Sequence, residues 1–543
     1  MKFIILFVFS CLLFNNIKSQ NKEINNEQLE ALCKVWGYMK YYDPNISQGV
    51  TNWDSLLINC LPTFYNKVDE NTFNLALNNY ILPKEKYSSC NKNNRELNEL
   101  RWIKESQLIN SKNKKILWSK LSKKIASKHF VKVNEVSKNC LFPNEERFKN
   151  ISFPNKEYQL LTLFRYWNAI KYFYPYKHLM DKNWDKALNT YLPLFYSCSN
   201  EAEFHKLTFR LTTELRDTHV QTGSNVLSRE IGYYFVPFNL SYIDSSYIIT
   251  SFISDSLKEK SSFQIGDIIL RKDEISISVL DSNLRSFYRA SNNPTTNKYI
   301  SDWILNGTTE SVNLTIQRNK DTLSYNTLRI SRTKHQAITN KKRKEPPFKL
   351  IEESIGYINI GSLYNYQIDS IFEVINKTKA LIIDLREYPN ETYYKLCSKI
   401  IKEDSLIFVK INSPNIAKPG VFNNEFTLQI NGNPDNYYKG VVVLLIDENT
   451  QSQGEFSAMA LELAPNVVKI GSQTAGADGN VSIINLPFGI STSFSGLSIR
   501  YPNGEETQRI GIVPDIVVEK KIEDILKKKD TVLQYAISYI KNI

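Results

Sequence analysis

Two stretches of the 543-residue chain repeat each other without a gap at an offset of 131 residues. Leu32–Tyr65 aligns with Leu163–Tyr196, and thirteen of the 34 positions are identical. The matches include Trp36/Trp167, Lys40/Lys171, Pro44/Pro175, Asn52-Trp53-Asp54/Asn183-Trp184-Asp185 and Leu61-Pro62/Leu192-Pro193, and the register extends to Glu70/Glu201 and Phe73/Phe204. Each unit reads as a helix ending near the Pro, a loop, and a second helix opened by Asn-Trp-Asp, whose Asn or Asp caps free N–H groups. The aromatic and apolar positions recur at helical spacing, so they are core residues first. The copies diverge at their ends, where Asp217-Thr218-His219 of the second faces Lys86-Tyr87-Ser88 of the first. If His219 is catalytic, the first copy is a scaffold without the chemistry.

The first residues carry Lys2, an apolar run from Phe3 to Phe14, and a polar end at Ser19-Gln20. That run is too short for a bilayer, which needs roughly 20 residues, and fits a secretory signal cut after Ser19. Cys11 sits inside the run rather than at its end, which argues against a lipid anchor. The chain is therefore expected to be secreted or periplasmic, without stable membrane insertion. Of the six remaining cysteines, Cys60, Cys90 and Cys140 are the expected disulfide participants, and spacing does not assign the pairs. Lys and Arg exceed Asp and Glu by 12, but the lysines are scattered. No zinc-finger spacing or basic heptad accompanies them, so a solvated basic surface is expected rather than a nucleic-acid partner. No CxxC or HExxH motif is present, and no metal is expected.

From about Ile231 to Arg332 short alternating strands take over, and FQIGDIIL at 263–270 resembles the strand start of a PDZ module, which would bind an extended peptide by strand addition. Lys334–Pro347 is polar and basic and reads as an exposed linker. Beyond it, IGYINIGSL, ALIIDLR and VVVLLI read as strands of a buried parallel sheet. Directly after VVVLLI come Asp447–Glu455 and a helical FSAMALEL, which place Ser452 at a strand-to-helix turn. There its hydroxyl is exposed, and the helix N-terminus behind it offers unpaired N–H groups to an oxyanion.

The order Asp217-Thr218-His219, GDIIL, YINIGSL, ALIIDLR, ENTQSQGE, IGSQTAG and GIVPDIVV resembles the tail-specific (C-terminal processing) serine peptidase family, over about Tyr158 to Ile543. The resemblance implies an α+β multidomain chain with a ClpP/crotonase-like β/α core, a PDZ-like β module and an N-terminal helical part. The boundaries are 1–19 signal, 20–148 first helical copy, 149–228 second copy, 229–333 PDZ-like module, 334–348 linker and 349–543 peptidase core. It further implies Ser452 as nucleophile, with the amide of Gln453 and one in the loop after Arg386 as oxyanion hole.

Three departures shape the reading. The Ser–Lys branch places its lysine in a TxGKG-like phrase, where this chain has Ala477; Lys469 lies in the preceding strand and does not replace it. The resemblance is thus to the tricorn-core-like branch, with His219 as general base. That branch carries a Glu before the final GV-x-PD phrase, and the position here is Gln508, with Asp217, Glu505 and Glu506 as substitutes. A Gln can orient an imidazole but cannot stabilise an imidazolium as a carboxylate does. The usual glycine pair after the DLR strand is Tyr388-Pro389-Asn390. Two functions fit: an exported serine endopeptidase acting on unfolded or C-terminal polypeptide segments, or a peptide- or ligand-binding protein on the same fold. No cofactor is implied by hydroxyl chemistry with an oxyanion hole.

Overall fold

The computed structural model describes residues 25–81, 98–121, 129–341 and 345–543. The expected signal, Cys90 and residues 86–88 lie outside them. The duplication is visible as two matched helix pairs: α1 (Asn26–Tyr42) with α2 (Trp53–Cys60), followed by α3 (Glu70–Tyr80), and α4 (Lys156–Phe173) with α5 (Trp184–Ser197), followed by α6 (Glu201–Thr213). Asn52 accepts from Ser55 N and Asn183 from Asp185 N, so the Asn of each Asn-Trp-Asp is the cap.

Within each pair the two tryptophans hold one another. Trp36 and Trp53 each donate Nε1–H to the other's carbonyl, at 3.3 and 3.2 Å, and Trp167 and Trp184 do the same at 2.9 Å. The buried indole N–H groups are thus satisfied while the rings fill the core. Between the copies, equivalent residues meet. Tyr41 packs on Tyr172 at 5.8 Å and Tyr65 on Tyr196 at 5.1 Å, and a Cβ on Gly37 would lie 1.9 Å from the Asn168 side chain. Lys34 faces Asp185 at 3.8 Å and, by the same operation, Arg165 pairs with Asp54 at 2.5 Å. Such self-facing contacts are what an approximate twofold axis between two like units produces.

Residues 229–333 form an antiparallel sheet in the order β1 (Phe238–Ile243), β2 (Ser246–Phe252), β3 (Ile268–Lys272), β4 (Ser311–Arg318), β5 (Asp321–Leu328), with helices Ile277–Arg285 and Asn293–Trp303 beside it. Its apolar core, from Val236 to Ile316, is its own. Within the expected linker segment, Arg332–Lys341 is a helix, with His335 against the Phe235 ring at 4.9 Å.

The C-terminal sheet runs β6 (Phe348–Ile351), β7 (Ile355–Asn359), β8 (Ala380–Asp384), β9 (Val441–Ile446), β10 (Val467–Gly471), β13 (Ile516–Val517), antiparallel only at β6. Helix α7 (Gln453–Leu461) follows β9, and a hairpin, β11 (Val481–Asn485) and β12 (Ser491–Ser495), follows β10. The period-2 geometry sends Leu381, Ile383, Val442 and Leu444 to one core, and Ala380, Ile382, Val443 and Leu445 to another under the C-terminal helix Thr531–Lys541. The hairpin leaves this domain: Ile484, Leu486, Phe488, Ile490 and Phe494 belong to the core of the helical repeats. Cys60 and Cys140, expected in disulfides, are buried free thiols, since each is enclosed by the repeat core and, among the described residues, not by a second cysteine.

Candidate active site

Ser452 sits between β9 and α7 with φ +54° and ψ −117°. This backbone is unfavourable for a residue with a Cβ, and strain of this kind is found at nucleophile turns. The turn is held from behind by Glu455. Its buried carboxyl accepts from Ser452 N at 3.2 Å, Thr474 Oγ1 at 2.5 Å, Gly476 N at 2.7 Å and Ala477 N at 3.1 Å. Ser452 N also reaches Ala477 O at 3.1 Å. The loop 474–477 is thereby tied to the serine. Gly511 lets the chain pass: its φ is +70°, and a Cβ there would lie 2.4 Å from Thr474 Oγ1. Burial raises the Glu455 carboxyl to about 7, against the lowering effect of its four hydrogen bonds. Burial and then the Glu455 charge push the neighbouring Asp478 well above the usual carboxylate range.

At the head of α7 the N–H of Gln453 has no acceptor among the described residues. The loop after β8 runs past it. Arg386 is clamped by Asp384 and Asp530, Asn390 Nδ2 donates to Gly361 O and Leu363 O at 3.0 Å, and Thr450 Oγ1 donates to Leu385 O at 3.0 Å. A Cβ on Gly454 would lie 4.0 Å from Pro389 Cδ, so this loop and the helix start adjoin. Pro389 offers no N–H, so any backbone donor of this loop comes from another of its residues.

The segment that carries His219 is bonded to the loop 474–477 through Thr218. Thr218 Oγ1 donates to Ala475 O at 2.9 Å, and Asn292 Nδ2, from residues 229–333, donates to Thr474 O at 2.7 Å. Ser291 and Tyr299 also bond Thr218, so the small antiparallel domain touches the histidine segment. His219 Nδ1 lies 2.9 Å from Ser495 Oγ, and Ser495 Oγ donates to Asp217 Oδ1 at 3.0 Å. Asp217 also accepts from His219 N at 3.0 Å and Ser495 N at 2.8 Å. Burial lowers the His219 pKa, and the Asp217 charge works against that. Among the described residues no hydrogen bond joins His219 to Ser452.

Gln508, expected as the histidine's partner, is buried with both side-chain amide atoms unpartnered among the described residues, beside Arg509, whose N–H donates to Gly476 O, and it is Ser495 that lies against His219 Nδ1. Glu506 pairs with His178 and Arg500, while Lys469 is held by Glu462 and Asp515. Sequence reasoning missed Ser495, which lies 276 positions from His219 and carries no local motif. Among the described residues no cluster of His, Cys, Asp and Glu would hold a metal ion, and no helix is long and apolar enough to cross a membrane.

A parallel β/α sheet with a strained serine at a helix head, and a buried histidine whose neighbour Thr218 bonds the loop tied to that serine, belongs to the serine peptidase class. The model of peptidase family S41, the family of tail-specific proteases, matches residues 354–518, the segment that carries the parallel sheet and Ser452. Among solved structures the chain is similar to a mutant of CPAF, at 14% identity and TM-score 0.57, covering 71% of this chain and 96% of that one. Mature CPAF gives 13% identity and TM-score 0.53 over 71% and 96%. A putative peptidase from Parabacteroides merdae gives 17% identity and TM-score 0.45 over 70% and 96%. No curated protein sequence matches.

Proposed function

We propose that the chain is an exported endopeptidase that acylates Ser452, with His219 as general base and then general acid. The observation that carries this reading is the shared loop 474–477: Ser452 N and Glu455 hold one side of it, and Thr218, next to His219, holds the other. In the first step Ser452 Oγ bonds to the scissile carbonyl carbon. The carbonyl π pair moves onto oxygen, and the hydroxyl proton passes to His219 Nε2. The oxyanion is received by Gln453 N–H and an N–H of the Glu387–Tyr388 segment. On collapse the C–N bond breaks, and Nε2 returns its proton to the leaving amine. Water then repeats the sequence on the acyl ester.

Residues 229–333 serve as a PDZ-like module for unfolded or C-terminal segments. Its sheet ends at β1, an edge strand flanked by helix Asn293–Trp303, which suits addition of an extended peptide. The apolar run at 3–14 supports export to a secreted or periplasmic location. A fluorophosphonate probe is expected to label the protein, and both Ser452→Ala and His219→Ala are expected to abolish labelling and peptide hydrolysis. Neither labelling nor hydrolysis by the wild type between pH 6 and 9 would instead make it a peptide-binding protein on the same fold.

A further inference from the structure

We propose that Ser495 and Asp217 together replace the missing carboxylate partner of His219, with the Ser495 hydroxyl relaying the Asp217 charge to the imidazole. The inference deepens the peptidase reading and rests on it for its catalytic meaning. Ser495 Oγ has one proton and two neighbours, His219 Nδ1 at 2.9 Å and Asp217 Oδ1 at 3.0 Å. If that proton went to Nδ1, two oxygens with facing lone pairs would stand 3.0 Å apart in a water-free interior. If it goes to Asp217, the hydroxyl accepts Nδ1–H and every group is satisfied.

The imidazole is thereby fixed with its proton on Nδ1 and with Nε2 free to act as base. Both carboxylate oxygens of Asp217 are engaged, Oδ1 by His219 N and Ser495 Oγ, Oδ2 by Ser495 N. Asp217, His219 and Ser495 are at most 6% exposed, so the carboxylate is not screened by bulk water. When Nε2 takes the serine proton, the cation on the ring is stabilised through the hydroxyl. Ser495 arrives on the β11–β12 hairpin, the element that leaves the peptidase core for the repeat core. These are positioning residues, acting through His219.

Two measurements test the assignment. With ¹⁵N-histidine protein, and the His219 signal identified by its loss in His219→Gln, neutral wild type is expected as the Nδ1–H tautomer. Ser495→Ala is expected to shift it toward Nε2–H, and Ser495→Thr to restore it. In kinetics, Ser495→Ala is expected to lower kcat about 10–100-fold, part of the 10²–10⁴ that a placed acid–base group supplies, with KM nearly unchanged. Asp217→Asn is expected to move the acid limb of kcat/KM to lower pH, because it removes the charge that favours the imidazolium. An Nε2–H tautomer in the wild type would overturn the proposal, as would a folded Ser495→Ala with unchanged tautomer and acid limb. A wild type that neither labels nor hydrolyses, yet loses the Nδ1–H form in Ser495→Ala, would support the relay and overturn the peptidase reading alone.

Discussion

Glu455 and Asp478 place two carboxyls in one dry site behind Ser452, and only the first is richly hydrogen-bonded. In the folded chain Glu455 keeps its proton up to about 7, whereas an unfolded Glu releases it near pH ~4.3. Between those values the folded state binds more protons than the unfolded one, so stability contributed by this group falls as pH rises and is lost through about 7. Asp478 acts in the same direction, since its folded pKa is also raised. Asp478→Asn removes that titration. The variant is therefore expected to show a shallower fall in Tm between pH 5 and 8 than the wild type, measured by thermal melts. An equal or steeper fall would show that the pair is not coupled as described. At this scale the proposed nucleophile, Ser452, and the proposed base, His219, could be picked out from sequence because each sits in a local phrase. Ser495 was not, since a serine in an ordinary strand acquires its role only from the residue it meets.

At the scale of elements, the β11–β12 hairpin joins the peptidase core to the repeats. Phe494 is fully buried and packs near Phe142 and Tyr174, at 6.1 and 6.2 Å. Phe494→Ala is expected to cost about 3–5 kcal/mol in urea unfolding, the range for truncating a buried phenylalanine. A change below about 1 kcal/mol would mean that the hairpin can leave that core without cost. The repeat itself was readable in full, because a duplicated sequence must bury the same face twice. Its internal twofold was not readable. Which of Trp36, Tyr41 or Tyr65 faces its own counterpart depends on how the two copies dock. The helix within the expected linker segment was not readable either: a polar run can be helical and mostly exposed while one ring, His335, packs on Phe235.

For the whole molecule, core ownership separates what can fold alone from what cannot. The apolar cluster of residues 229–333 is drawn entirely from that segment, so its excised form is expected to unfold cooperatively by circular dichroism. A fragment 349–543 would expose Ile484, Phe488 and Phe494, which the repeats otherwise cover. It is expected to bind a hydrophobic dye and to have no peptidase activity, His219 being absent. A compact, dye-negative 349–543 would contradict this assignment of the cores.

Periodicity and short motifs determined, from the sequence alone, a duplicated helical part, a β-rich insert, a parallel sheet and Ser452 at its strand-to-helix turn. These features are local, set by spacing of 2 or 3.6 residues and by turn chemistry. Tertiary structure decided which group partners His219, which cysteines remain thiols and which domain owns the hairpin. Each of these depends on residues far apart in the sequence being buried together, which no local pattern specifies.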